Sequence, residues 1–112
     1  MDANSRANKK TVVEFHNLVI NRKDFESAKK YVANCFKQHK PYVPGGEEGL
    51  RVFIEYLRTE FPDAHSVIKK IIVEGDYVVL YVQLLRTLNR SRRFVEIFRL
   101  EKGKINGHWA IA

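Results

Sequence analysis

An α+β fold, with helices first and an antiparallel meander afterwards, is predicted by two features of this 112-residue chain. Apolar residues recur at helical spacing as far as Leu57. From Ser66 onward they fall instead into β-branched and aromatic runs separated by turn chemistry. A hydrophobic content of 45%, 12% of the chain being aromatic, suffices for one core without metals or disulfides. The chain therefore reads as a single domain over residues 1–112, with residues 1–7 frayed.

Val12, Phe15, Leu18 and Val19 share a helical face behind Asn8, a residue suited to capping, so the first helix is expected from about Asn8 to Asn21. The run Asn21-Arg22-Lys23-Asp24 reads as a turn. Asp24 then caps a second, shorter helix through Phe25, Ala28 and Val32. Cys35 to His39 reads as a short extended piece, and Pro41, Pro44 and Gly45-Gly46 impose a loop. Glu47 and Glu48 open a third helix with Leu50, Phe53, Ile54 and Leu57 on one face, and Pro62 closes it.

Four strands are expected: about His65 to Glu74, Tyr77 to Leu85, Arg93 to Glu101, and Lys104 to Ile111. Gly75-Asp76 turns the chain between the first two. The run from Tyr77 is apolar on both faces, the pattern of a strand covered on each side. Gly103, as the third residue of a three-residue loop, suits a type I turn plus bulge between the last two strands. That register puts Phe94, Glu96 and Phe98 on one face with His108 and Ala110, and Val95, Ile97, Trp109 and Ile111 on the other. Glu96 then sits opposite His108.

A carboxylate beside an imidazole fixes its tautomer, so Glu96 and His108 can act as a general base on a bound carbon acid. The same pair can equally be a structural hydrogen bond in a core, and the residues alone leave both readings open. His39 lies in the loop-like stretch Gln38 to Pro44, where functional groups concentrate, although an exposed loop histidine has the same appearance. His16, His39, His65 and His108 show no metal-ligand spacing, and no metal site is predicted. Gly45-Gly46-Glu47-Glu48-Gly49 carries acids where a phosphate loop needs donors. There is no GxSxG turn, and Cys35, the single cysteine, reads as a small buried hydrophobe in a reducing compartment.

The net charge of +7 gathers most densely at Arg86, Arg90, Arg92 and Arg93. Without a basic helical stripe, a ribonucleoprotein-type aromatic motif or zinc-ligand spacing, it reads as solvated surface charge and not a nucleic-acid site. Met1 to Asn8 is polar and no run reaches bilayer length, so a cytoplasmic protein with no membrane segment is expected.

Phe15-His16-Asn17, Gln38-His39-Lys40-Pro41-Tyr42-Val43-Pro44, Gly46-Glu47-Glu48-Gly49-Leu50, Phe61-Pro62-Asp63, Glu74-Gly75-Asp76-Tyr77-Val78, Val95-Glu96-Ile97-Phe98-Arg99 and Gly103-Lys104-Ile105 through His108-Trp109 carry a resemblance. In this order, over about residues 8–110, they resemble the SnoaL-like polyketide cyclases of the nuclear-transport-factor-2-like superfamily. The resemblance implies a cone in which a strongly curved antiparallel sheet wraps the N-terminal helices and encloses an apolar pocket. It implies homodimers through the outer face of the sheet, and acid-base chemistry without a cofactor, such as intramolecular aldol cyclisation.

By position His39 and His108 match the family's pocket histidines and Glu96 an acidic pocket position. His16 stands where a tyrosine is frequent and Lys40 where an asparagine is. The family's His-Trp-Asp becomes His108-Trp109-Ala110, which removes the aspartate that serves as the acid-base group. Such a group contributes roughly 10²–10⁴-fold.

The expected catalytic residues are thus His108, Glu96 and His39. The expected pocket lining is Phe15, His16, Tyr42, Phe53, Leu57, Tyr81, Phe94, Phe98 and Ala110, around a small apolar or carbonyl-containing ligand and no cofactor. Val95, Ile97, Trp109 and Ile111 are the expected dimer interface, since such an apolar patch is poorly tolerated on a monomer. The alternative function is a non-catalytic ligand-binding or dimerisation module, including an engineered or drifted scaffold.

Overall fold

The computed structural model describes residues 2–39, 46–87 and 90–111. Helix α1 spans Ala3–His16, five residues ahead of the expected start. Asp2 is the cap that wins: its carboxylate accepts from the Ser5 amide at 2.7 Å, and residues 3–7 become helix instead of a frayed end. Asn8 is buried within the helix. Beyond His16 the chain continues as a π turn, Asn17–Asn21, in which the Arg22 amide donates to the Asn17 carbonyl at 2.9 Å. Such turns often mark functional positions.

Lys23 then turns the chain at φ 52°. Its ammonium, buried at the corner, donates to the carbonyls of Ile20 at 2.9 Å and Ala64 at 2.8 Å. Burial pushes this amine below the usual lysine range, against the opposing pull of Asp63. Asp24 caps α2 as expected, accepting from the Ser27 amide at 3.1 Å. Helix α2 is only Phe25–Ala28, however, followed by a 3₁₀ turn Lys29–Tyr31. Val32, expected in the helix, begins strand β1, Val32–His39. The β1 backbone finds a parallel partner far along the chain, an interaction that helical periodicity cannot reveal. Helix α3, Gly46–Glu60, buries Leu50, Ile54 and Leu57 and ends before Pro62.

The remaining strands are β2 (His65–Glu74), β3 (Tyr77–Thr87), β4 (Arg90–Glu101) and β5 (Lys104–Ile111). They form an open five-stranded sheet of order β1-β5-β4-β3-β2, antiparallel except where β1 runs parallel to β5. Helices and sheet share one core. Val78, Leu80, Val82, Leu84, Phe98, Leu100 and Ile105 belong to the same buried cluster as Val12, Phe15, Val19, Ala28, Leu50, Ile54 and Leu57. Each fully buried valine, leucine, isoleucine or phenylalanine among them is worth about 1.5–3 kcal/mol against its exposed state.

The β4–β5 turn corrects the expected loop. It has two residues, Lys102 at φ 52° and Gly103 at φ 78°, closing between Glu101 and Lys104. An unbroken ladder from such a turn would put His108 beside Ile97 and flip β5. The register shifts between Arg99 and Leu100, so Leu100 pairs with Ile105 and Arg99 with Gly107. Asn106 is the extra residue, and it returns the rest of β5 to the expected faces.

The outer face of the sheet differs from the reading of β3 as a strand covered on both sides. Tyr77, Tyr81, Leu85, Ile72 on β2 and Ile111 on β5 are exposed. Trp109 is half-buried and tilts against Tyr77, their ring centres 6.5 Å apart. Gly107 makes room for it, because a Cβ there would lie 2.8 Å from Trp109 Cη2. Among the described residues no helix is long and apolar enough to cross a membrane.

Candidate active site

Strand parity aims Glu96 at the helices from β4, and His108 comes from the same face of β5. Glu96 pairs across the ladder with Ala110 and His108 with Phe98, so the expected opposition of Glu96 and His108 is off by two residues. The contact forms along the diagonal. His108 Nε2 lies 2.6 Å from Glu96 Oε2, and the His108 ring stacks on Phe98 with centres 4.5 Å apart and planes 11° from parallel. Phe15 packs against Phe98 in an edge arrangement, the ring centres 6.0 Å apart.

A second imidazole completes the cluster. His16, at the last position of α1, places Nδ1 2.7 Å from Glu96 Oε1, an ion-pair distance at an angle poor for a hydrogen bond. Its Nε2 lies 2.6 Å from Ser66 Oγ on β2. Ser66 is held in turn by the π turn: its amide donates to Asn21 Oδ1 at 2.6 Å, and Asn21 Nδ2 donates to the Ser66 carbonyl at 3.2 Å. Asn21 Nδ2 also reaches Asn17 Oδ1 at 2.9 Å. His16, Ser66, Glu96 and His108 are all 5% exposed or less.

Burial alone would raise the Glu96 carboxyl. Positive charge on the facing imidazole pair, His16 and His108, and the hydrogen bond from His108 outweigh it, holding the carboxyl well below the usual glutamate range. The site is therefore a buried carboxylate clamped between two imidazoles, which can hold and redistribute a proton. The rings aim at the carboxylate and at no common point. Among the described residues no three His, Cys, Asp or Glu side chains could hold a metal ion.

The other expected site residues fall into three groups. Phe98, Phe15 and Leu57 are buried in the core, Phe53 and Phe94 are half-buried against it, and half-buried Ala110 faces the cluster beside Glu96. Tyr81 is a correction, because it alternates with buried Leu80 and Val82 and points to the exposed outer face with Tyr77. Tyr42 lies outside the described residues. The His39 backbone pairs with Trp109 at the β1 edge, and its side chain also lies outside the description. Val95, Ile97, Trp109 and Ile111 occupy the outer face as expected, the first three half-buried and Ile111 exposed. An open depression of about 470 Å³ is lined by Arg22, Lys23, Asp24, Arg58 and Pro62, none of them an expected pocket residue.

Ser66 and Asn21 were not legible as site residues. The one available signal was a small polar residue on the otherwise apolar inward face of β2.

The sequence profile of the SnoaL-like polyketide cyclases matches residues 10–112. The chain belongs to this family. Solved structures agree on the fold of this SnoaL-like domain. A polyketide cyclase assigned provisionally, from Bacillus cereus ATCC 10987, is 23% identical with a TM-score of 0.83, over 94% of this chain and 73% of that one. A nuclear-transport-factor-2-like protein of unknown function from Cytophaga hutchinsonii ATCC 33406 is 22% identical, TM-score 0.72, over 92% and 87%. A ketosteroid isomerase, also assigned provisionally, from Kribbella flavida DSM 17836 is 13% identical, TM-score 0.79, over 96% and 78%. At these identities the likeness is one of fold. No curated protein matches the SnoaL-like chain in sequence.

Proposed function

We propose that this SnoaL-like domain carries out cofactor-independent acid-base chemistry on a small carbonyl compound, with His108 and Glu96 as the working pair. The observation that carries the reading is the Glu96 carboxylate, buried on the helix-facing side of the sheet between two imidazoles. In this reading His108 meets the substrate carbonyl and polarises it, while Glu96 orients the ring and offsets its charge. His39, on the strand beside β5, is the third candidate catalytic residue. Phe15, Phe53, Phe94 and Phe98 supply apolar walls for the ligand. Turnover of a panel of small 1,3-dicarbonyl and polyketide-like compounds tests this. The reading expects activity that falls roughly 10²–10⁴-fold in His108→Ala. Unchanged activity in that variant refutes it.

One observation favours a non-catalytic pocket instead: Ala110 puts a methyl group directly across from Glu96, where the family resemblance expects an aspartate. Ala110→Asp separates the two readings. Activity that appears only in the variant supports a disarmed, ligand-binding pocket; activity already present in the unmodified chain excludes it. We also propose a two-fold homodimer through the outer face around Val95, Ile97, Trp109 and Ile111, which would cover the apolar side chains that one chain leaves exposed.

A further inference from the structure

Glu96 faces two imidazoles, but the Ser66 hydroxyl touches one of them. Among the described residues Ser66 Oγ has a single partner, His16 Nε2 at 2.6 Å, and Ser66 is 4% exposed. A hydroxyl carries one hydrogen, and leaving that hydrogen buried without an acceptor is costly. His16 Nε2 is the acceptor within reach, so this nitrogen presents a lone pair. Nδ1 of the same ring lies 2.7 Å from Glu96 Oε1, where a second lone pair would face a carboxylate, so the hydrogen sits on Nδ1. His16 is then a neutral ring, oriented from both ends.

A buried carboxylate requires a positive partner. With His16 kept neutral, that partner is His108, whose Nε2 lies 2.6 Å from Glu96 Oε2. The Phe98 ring stacked on His108 at 4.5 Å favours a cationic ring there.

We infer that Ser66 is a positioning residue: by donating to His16 Nε2 it directs the proton held by the cluster onto His108. The functional meaning rests on the proposed acid-base reading, in which His108 is the ring that meets the carbonyl. The asymmetry comes from the fold. The π turn fixes Ser66 through Asn21, and Ser66 reaches the helix ring alone. His108 thereby arrives at the substrate as a hydrogen-bond donor, with Glu96 behind it.

Two-bond ¹H–¹⁵N spectra of the histidine rings, recorded near neutral pH without ligand, test the proton placement. The expected wild-type pattern is a pyridine-type Nε2 and a protonated Nδ1 on His16, and two protonated nitrogens on His108. Ser66→Ala should lose the pyridine-type signal of His16 as the proton spreads between the rings, and Ser66→Thr, which keeps the hydroxyl, should restore it. Ser66→Cys, close in size but a weaker donor, gives the same reading if alanine loosens the fold. A purely structural serine would alter stability and leave these signals in place. An imidazolium on His16 in the wild type, or nitrogen shifts indifferent to Ser66→Ala, overturns the inference. Since no substrate is present, the expected spectra without any turnover would refute the proposed reaction and leave the proton placement standing.

Discussion

Replacing Glu96 by alanine removes the one group that both imidazoles address. The carboxylate is 4% exposed and lies 2.7 Å from His16 Nδ1 and 2.6 Å from His108 Nε2. In Glu96→Ala the His108 N–H loses its acceptor and His16 Nδ1 its carboxylate neighbour where water does not replace it, at about 1–3 kcal/mol each. The sum agrees with the roughly 3–5 kcal/mol typical of breaking a buried pair from one side. Against a total stability of about 5–15 kcal/mol, this is a large fraction. Urea unfolding followed by the fluorescence of the single tryptophan, Trp109, measures it. With a denaturant slope of about 1–3 kcal/mol per molar, the midpoint should fall by about 2 M. A double-mutant cycle with His16→Ala should be non-additive by more than about 1 kcal/mol, because both changes remove the same contact. A loss below about 1 kcal/mol, or simple additivity, would refute the buried cluster as an energetic unit.

The Glu96 carboxyl is depressed below its ordinary 4.5 in the fold. Its contribution to stability is therefore complete above the unfolded value and is lost as pH falls through the folded one. Carbon-13 NMR should find Glu96 still ionised near pH 4, where ordinary glutamates are roughly half protonated; titration at or above the ordinary value contradicts the clamp. Lys102 sits at φ 52° before Gly103 in the β4–β5 turn, where asparagine is better suited, so Lys102→Asn should stabilise the protein by about 0.5–1 kcal/mol in urea. No gain would show that the turn carries no strain at Lys102. Sedimentation at micromolar concentration should give a dimer, and Ile111→Glu, at an exposed outer-face position, should give a folded monomer. A monomeric wild-type chain would remove the proposed interface.

Strands were the most legible part of the chain because turn residues and period-2 patterning act locally. His65–Glu74 and Lys104–Ile111 fall where their composition puts them. The inward aim of Glu96 and His108 was also readable, although by a cancellation: a two-residue turn with a bulge at Asn106 yields the same faces as a three-residue loop. Other features depend on partners distant in sequence. Strand β1 pairs with residues about seventy positions later, and Ser66 meets His16 across fifty. Neither pairing leaves a periodic trace. Tyr81 failed as a pocket residue because a strand apolar on both sides does not disclose which face meets the helices. His16 was visible as a polar residue beside an apolar face, but not as the partner of Glu96.

In the proposed reaction the Glu96–His108 pair moves protons on a carbonyl compound. Deuterium exchange at the carbon next to the carbonyl, followed by proton NMR for a set of 1,3-dicarbonyl compounds in D₂O, tests it most directly. Exchange should be faster than in buffer alone and slowed roughly 10²–10⁴-fold toward the buffer rate in a folded Glu96→Gln variant. Exchange by the wild type at the buffer rate across the set, or equal acceleration by Glu96→Gln, would contradict it.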